Sequence, residues 1–274
     1  MSELSRFSFN SGTAKYWPLH ELIDTAARRG LGGVGLWRKP VQEAGIDRVA
    51  RQVRAAGLQV TSLCRGGFFP ATDAATRQQR IEDNRRALDE AARLGAQTLC
   101  LVCGGLPSGS RDLAGARQMV ADAIAELAPE AGDLGVVLAI EPMHPMYCSD
   151  RSVISTLRQA RLLAEQFPAE QVGVLVDAYH VWWDPDRFNE LALLGERIAG
   201  FQVCDWTVPL PAGVLTGRGM IGDGCIDLRR LRQAVEHSGY RGLTEVEIFN
   251  SALWQQPGEE VFDLACERYL AHVA

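Results

Sequence analysis

A chain of 274 residues, 47% hydrophobic and 23% charged, has ordinary globular composition and is long enough to bury a large core. Its net charge of −6, with no block of Lys or Arg, lacks the electrostatic footprint of a nucleic-acid or anionic-membrane binder. No apolar run approaches the ~20 residues that cross a bilayer. MSELSRFSFN has no basic segment followed by an apolar one, so no signal peptide is expected. Seven cysteines without a spacing framework suit a reducing, cytoplasmic setting.

Short apolar runs alternate with longer amphipathic stretches along the whole chain. RFSFNS, from residue 6, precedes the helical pattern LHELIDTAARRG; GGVGLW, from 32, precedes IDRVARQVRAAG; QVTSLC, from 59, precedes TRQQRIEDNRRALDEAARLG. AQTLCLV at 96 leads to GARQMVADAIAELAPEAG, and VVLAIE at 136 to VISTLRQARLLAEQF. VGVLVD at 172 leads to PDRFNELALLGER, IAGFQV at 198 to DLRRLRQAVEHSG, and LTEVEI at 243 to EEVFDLACERYLAHVA. Several helical patterns close on Gly, as helix ends do. Eight strand–helix alternations predict parallel strands in an α/β (β/α)8 TIM barrel, one domain over residues 1–274. A doubly wound open sheet would want a G-x-G-x-x-G after an early strand, and none stands there. Cys100 and Cys103 form a C-x-x-C on a strand, where i and i+3 point to opposite faces, so they share neither a metal nor a disulfide.

In a barrel, polar groups at the C-terminal strand ends read as catalytic or binding residues. Glu141 closes the fifth run and Asp177 the sixth; Gln202 and Asp205 lie near the end of the seventh; Glu245 and Glu247 are on the eighth. A single acid at such a place is commonly a helix cap or a partner for Arg. Several converging from neighbouring strands repel one another unless a cation sits among them, and an oxygen-rich set suits Mg²⁺ or Mn²⁺. Glu245 and Glu247, two apart, share a face; Glu245 would lie deeper and pair with a basic or metal-linked partner. His180 and His144 each follow an acid by three residues, placed to bind substrate oxygen or ligate. Trp37, Trp182, Trp183 and Trp206 sit at or after strand ends, as core packing or as a wall for a sugar face. Arg218 lies in GRGMIGDG, within the long irregular segment 205–224, a candidate to hold a substrate oxygen.

The segments AIEPMHP, VDAYHVWW, GFQVCDW, GRGMIGDG and EVEIF resemble the xylose-isomerase-like TIM barrels, the sugar phosphate isomerase/epimerase superfamily that includes tagatose 3-epimerase, hydroxypyruvate isomerase and inosose dehydratase. The resemblance implies one divalent metal ion, Mn²⁺ first with Mg²⁺, Co²⁺ or Zn²⁺ as alternatives, held by Glu141, Asp177, Gln202 and Glu247. It implies that Glu141 and Glu247 also move the substrate proton. His180 matches the family histidine three after the metal Asp, and Arg218 its loop arginine; with His144, Trp37 and Trp206 they form the expected substrate-binding set. Tagatose-type epimerases have His where this chain has Gln202, and an acid where it has Tyr147. The dehydratase and inosose branches more readily use Gln at that ligand position.

The implied reaction is isomerisation or epimerisation of a keto sugar or cyclic keto-polyol, by glutamate proton abstraction and a metal-bound enediolate. Loss of a β-hydroxyl from the same intermediate would make the enzyme a dehydratase of the inosose or 3-dehydroshikimate type. An abasic-site nuclease resembling endonuclease IV would need a histidine-rich three-zinc cluster, and the chain has five histidines in all. A non-catalytic sugar-binding barrel is the remaining alternative. The expected partners are a small sugar or polyol, with no nucleic acid and no membrane; family members often form homo-oligomers.

Overall fold

The computed structural model describes residues 3–211 and 213–274; Met1 and Ser2, where the signal-peptide reading begins, and Ala212, inside the long loop, lie outside the described residues. The order is β1 (Phe7–Asn10), α1 (Leu19–Arg29), β2 (Gly33–Trp37), α2 (Arg38–Ala44), α3 (Ile46–Ala55), β3 (Gln59–Gly67), α4 (Ala74–Leu94), β4 (Thr98–Val102), α5 (Leu113–Leu134) and β5 (Val137–Ile140). There follow α6 (Leu157–Ala164), β6 (Val172–Asp177), α7 (Ala178–Val181), α8 (Arg187–Leu194), β7 (Ile198–Val203), α9 (Leu228–His237), β8 (Thr244–Val246) and α10 (Gly258–His272). The eight strands pair in parallel and in sequence order, and β8 returns to β1, closing a barrel.

Local chemistry sets the boundaries. Asp73, Asp112, Thr156 and Asp227 accept the backbone N–H three residues on, capping α4, α5, α6 and α9. Gly30, Gly95 and Gly135 end α1, α4 and α5 in the left-handed region. The strands are buried on both faces, which is why they read as near-continuous apolar runs. Two short helices, α2 and α7, add to the eight that the pattern predicts. Each begins directly at a strand end, so neither has room for a hydrophobic period. Strand eight is shorter than LTEVEI predicts. It stops at Val246, opposite Val203 of β7, and Glu247 follows it.

The main core lies between strands and helices, with Phe7, Phe9, Leu36, Leu88 and Phe262 fully buried. Inside the barrel Cys64, Cys100, Ala139 and Leu175 form a separate apolar layer. All seven cysteines are free, and Cys103 packs in the outer core, on the opposite side of the strand from Cys100. No helix of the described residues is long and apolar enough to cross a membrane.

Candidate metal centre

A polar floor supports the barrel mouth. Glu245, at the middle of β8, is 3% exposed; among the described residues no basic group pairs with it, and of the expected basic or metal-linked partner it is the second kind that is found, in the candidate ligand Gln202. Neutral donors surround it instead. Asn10 Nδ2 donates at 2.6 Å and Gln202 Nε2 at 2.7 Å, both to Oε1. Ser62 Oγ donates at 2.9 and 3.0 Å, and Thr61 Oγ1 donates to Oε2. Burial pushes the Glu245 carboxyl upward, and these donors oppose that shift. Gly35 makes the space, since a Cβ there would stand 2.5 Å from the carboxyl carbon.

The floor orients Gln202. Its Nε2 faces a carboxylate oxygen, so the amide cannot be turned round without setting oxygen against oxygen. Its Oε1 is therefore aimed away, and it is buried without a hydrogen-bond partner. An unpartnered buried carbonyl oxygen is costly, and it is a suitable ligand for a hard cation.

Above the floor stand three acids. Glu141 follows β5; its Oε2 accepts a long contact from the Cys100 thiol at 3.6 Å. Asp177 ends β6 and caps α7 through Oδ1, which accepts from Tyr179 N at 2.9 Å, while Oδ2 accepts from Arg218 Nη1 at 2.7 Å. The cap and the arginine partner are thus both real, and they use one oxygen each. Glu247 accepts from Trp37 Nε1 at 3.2 Å on Oε1, and its Oε2 lies 3.5 Å from Arg218 Nη1. Arg218 is 2% exposed, and its guanidinium packs near the rings of Tyr179 and Phe249. Bridges Asp205↔Gly219 and Gly217↔Asn250 pin its loop. Asp205 serves that loop, accepting from the backbone N–H of Trp206, Gly222 and Ile226.

Burial pushes all three acids upward. Glu141 reaches about 8, helped by Asp177 and Glu247. Glu247 reaches about 7 against the pull of Arg218, and Asp177 is raised too. With all three ionised, the acids and the one guanidinium leave an excess of two negative charges, with Glu245 behind them. A divalent cation matches that excess, and the donor set is largely hard oxygen. Glu141, Asp177 and His180 each offer a ligand atom, all within 4.8 Å of one another. Glu247 stands outside that triad, across Arg218. The residues present therefore fit a divalent metal.

His180 is fully buried on α7, and the position of its ring proton decides what it can do in that triad. The backbone N–H of His144 donates to its Nδ1 at 3.2 Å. A backbone N–H can only donate, so the neutral ring carries its proton on Nε2. Burial first, and then Arg218, push its pKa well below the usual value, so the ring is neutral. Nε2–H lies 3.6 Å from Glu141 Oε1 and 3.7 Å from Asp177 Oδ2. Arg218 Nη2 stands 3.2 Å from the same nitrogen, which sets donor against donor. A ligand oxygen accepting from both would relieve that contact. His180 thus has the chemistry of a hydrogen-bond donor to a bound oxygen more than that of a metal ligand.

The remaining sequence candidates divide. Trp37, Glu141, Arg218 and Glu247 border one small cavity, about 30 Å³, with Cys64, Arg65, Cys100, Met143, Arg151 and Phe249 among its other walls. A larger cleft of about 370 Å³ near Lys15, Pro40 and Arg48 has no comparable cluster of acids, so size does not mark the site here. Trp206 and the His144 ring stack at 5.1 Å in an adjoining aromatic group with Tyr179, Trp182 and Trp183. His144's ring nitrogen caps a short turn, while its backbone orients His180. Sequence reasoning missed Arg65 and Arg151. Arg65 follows an apolar run, the same signal that marks Glu141; Arg151 lies in irregular chain between β5 and α6 and carries no local signal.

With this geometry in view, comparison with known proteins assigns the family. The family model described as xylose isomerase-like TIM barrel matches residues 23–270, and the chain belongs to that family. It is 45% identical to the protein SMc04130 of Sinorhizobium meliloti 1021, whose crystal structure superposes with a TM-score of 0.96 over 99% of each chain. It is 25% identical over 248 residues to a 3-dehydroshikimate dehydratase of Pseudomonas putida, covering 87% of this chain and 37% of that protein. A ketose 3-epimerase of Arthrobacter globiformis is 25% identical over 199 residues, covering 68% of this chain and 63% of the epimerase. The chain thus spans less than two thirds of the length of either curated relative. Both are enzymes that act on small molecules.

Proposed function

On this xylose isomerase-like scaffold, we propose a divalent-metal-dependent isomerase or epimerase of a keto sugar or cyclic keto-polyol, working in a reducing, cytoplasmic compartment. The observation that carries the reading is that Glu141 and Glu247 border one cavity just after β5 and β8, with Asp177 joined to Glu247 through Arg218 and with Gln202, the register partner of Asp177 on β7, keeping a buried, unpartnered Oε1. Glu141, Asp177, Gln202 and Glu247 would hold the metal, Mn²⁺ by preference. When bound, the ion supplies Lewis-acid polarisation of a substrate carbonyl, which acidifies the neighbouring C–H.

The chain's own groups do the rest. One of Glu141 and Glu247, ionised, takes the proton from the carbon beside the carbonyl; the other, carrying a solvent-derived proton, delivers it to the opposite face, and solvent resets the two protonation states. His180 Nε2–H and Arg218 Nη2, whose nitrogens stand 3.2 Å apart, would together hold the substrate oxygen that gains negative charge. Trp37 fixes Glu247 through Nε1–H and walls the cavity against water. The test is a keto-sugar and inosose panel in deuterated water with added Mn²⁺. Deuterium enters at the carbon next to the carbonyl with wild-type protein, and falls by ~10² or more in Glu141→Gln and Glu247→Gln. No exchange on any panel member overturns the reading.

A dehydratase is the second reading. It is favoured by Gln202, where tagatose-type epimerases have His, and by the likeness to a 3-dehydroshikimate dehydratase. Its first step is the same, followed by loss of a β-hydroxyl, and a new enone absorbance distinguishes it.

A further inference from the structure

The arginines of this protein show a contrast. Arg38, with a side chain 13% exposed, is paired with both Glu90 and Asp83. Arg161, equally buried, is paired with Glu190 and Glu165. The cavity beside the acids has two arginines that lack such partners. Among the described residues no carboxylate lies within ion-pair distance of the half-buried Arg65, whose guanidinium stands 3.9 Å from the Phe68 ring centroid. Arg151 has only its chain neighbour Asp150, at 3.9 Å and 59% exposed, and its Nε is buried without a hydrogen-bond partner. Burial lowers the pKa of Arg65, and the charge of Arg151 lowers it further. Two such cations on one cavity wall repel each other and keep unspent donors.

We infer that Arg65 and Arg151 form the seat for a carboxylate at one end of the substrate, whose keto-polyol end reaches Glu141 and Glu247. The inference rests on the proposed use of this cavity as the substrate site, and it adds that the substrate is a keto-sugar acid. A planar guanidinium matches a carboxylate with two parallel donors, and Phe68 holds the Arg65 plane in place. The charge pattern is then complementary along the substrate: a cationic rim meets its acid end, and an acidic floor with its metal meets the carbonyl end.

The test measures dissociation constants by calorimetry for 5-keto-D-gluconate, D-fructose and D-fructose 6-phosphate, on Mn²⁺-loaded wild type, Arg65→Gln and Arg151→Gln. Mn²⁺ uptake is titrated first on each protein. The expected result is at least about tenfold tighter binding of the keto acid than of fructose, with the margin shrinking about tenfold in each variant, as for loss of a charge-assisted hydrogen bond. Unchanged Mn²⁺ uptake and far-ultraviolet circular dichroism show that the variants are folded. Tighter binding of the phosphate ester overturns the carboxylate assignment. Equal binding of acid and neutral sugar, or no binding of any of the three by metal-loaded wild type, overturns the seat itself. Failure of wild type to take up Mn²⁺ is a different result, and it overturns the metal reading of the site.

Discussion

Replacing Glu245 separates what the buried carboxylate does by charge from what it does by shape. In Glu245→Gln the amide oxygen can occupy the Oε1 place and keep both rigid donors, Asn10 Nδ2 and Gln202 Nε2. The new NH2 then faces Thr61 and Ser62. Hydroxyls rotate from donor to acceptor, and Thr61 can pass its proton to Ser8 Oγ at 2.8 Å. The expected loss is about 1 kcal/mol or less, because every buried group stays paired. Glu245→Leu has similar volume but accepts nothing. The Asn10 and Gln202 amide N–H groups then lose their acceptor, at ~1–3 kcal/mol each, offset in part by no longer burying a carboxylate. A net loss of about 3 kcal/mol is expected, read from urea unfolding midpoints at pH 7 on metal-free protein. Equal losses in the two variants, or a leucine variant within about 1 kcal/mol of wild type, would refute this account of the barrel floor.

Three further outcomes are expected. Gln202→Leu removes the orphaned Oε1, so metal affinity falls at least about tenfold, while metal-free stability shifts by only ~1 kcal/mol as one lost donor to Glu245 offsets one lost unpaired acceptor; isothermal titration with Mn²⁺ and urea unfolding read the two. Glu141 and Glu247, held at about 8 and about 7, stabilise the fold when protonated, so their contribution is full below the unfolded carboxylate pKa and is lost as pH rises through 7 to 8. Chelator-treated protein should therefore melt at lower temperature at pH 9 than at pH 6, with the difference reduced by saturating metal, and a higher melting point at pH 9 would contradict it. Trp37→Phe removes the donor to Glu247 Oε1 and should cut the deuterium-exchange rate about tenfold with little change in stability; an unchanged rate counts against Trp37 as the group that fixes Glu247.

The barrel was readable because its strands are buried on both faces and its helices carry three-residue caps and terminal glycines, all of which are local signals. Glu141, Asp177, Gln202 and Glu247 stand out as candidates because each lies at or near a strand's C-terminal end, where a polar residue interrupts an apolar run. Their partners were not. Arg218 bonds to Asp177 across 41 positions and Glu245 to Thr61 across 184, and no pattern in a single sequence encodes such pairings. Glu245 illustrates the limit: its position deep in the barrel and its pairing with a candidate metal ligand were legible, but its cage of hydroxyls and amides depends on β1, β3 and β7 arriving together. The proton position on His180 depends likewise on the backbone of His144, 36 residues away.

The most direct measurement is metal content by mass spectrometry, on protein purified without chelator and on Glu247→Gln prepared alongside. About one divalent ion per wild-type chain, sharply reduced in the variant, is the predicted result for a site assembled from hard oxygen donors. A wild-type chain that carries no metal, and takes up none on titration with Mn²⁺, Mg²⁺, Co²⁺ or Zn²⁺, would contradict it.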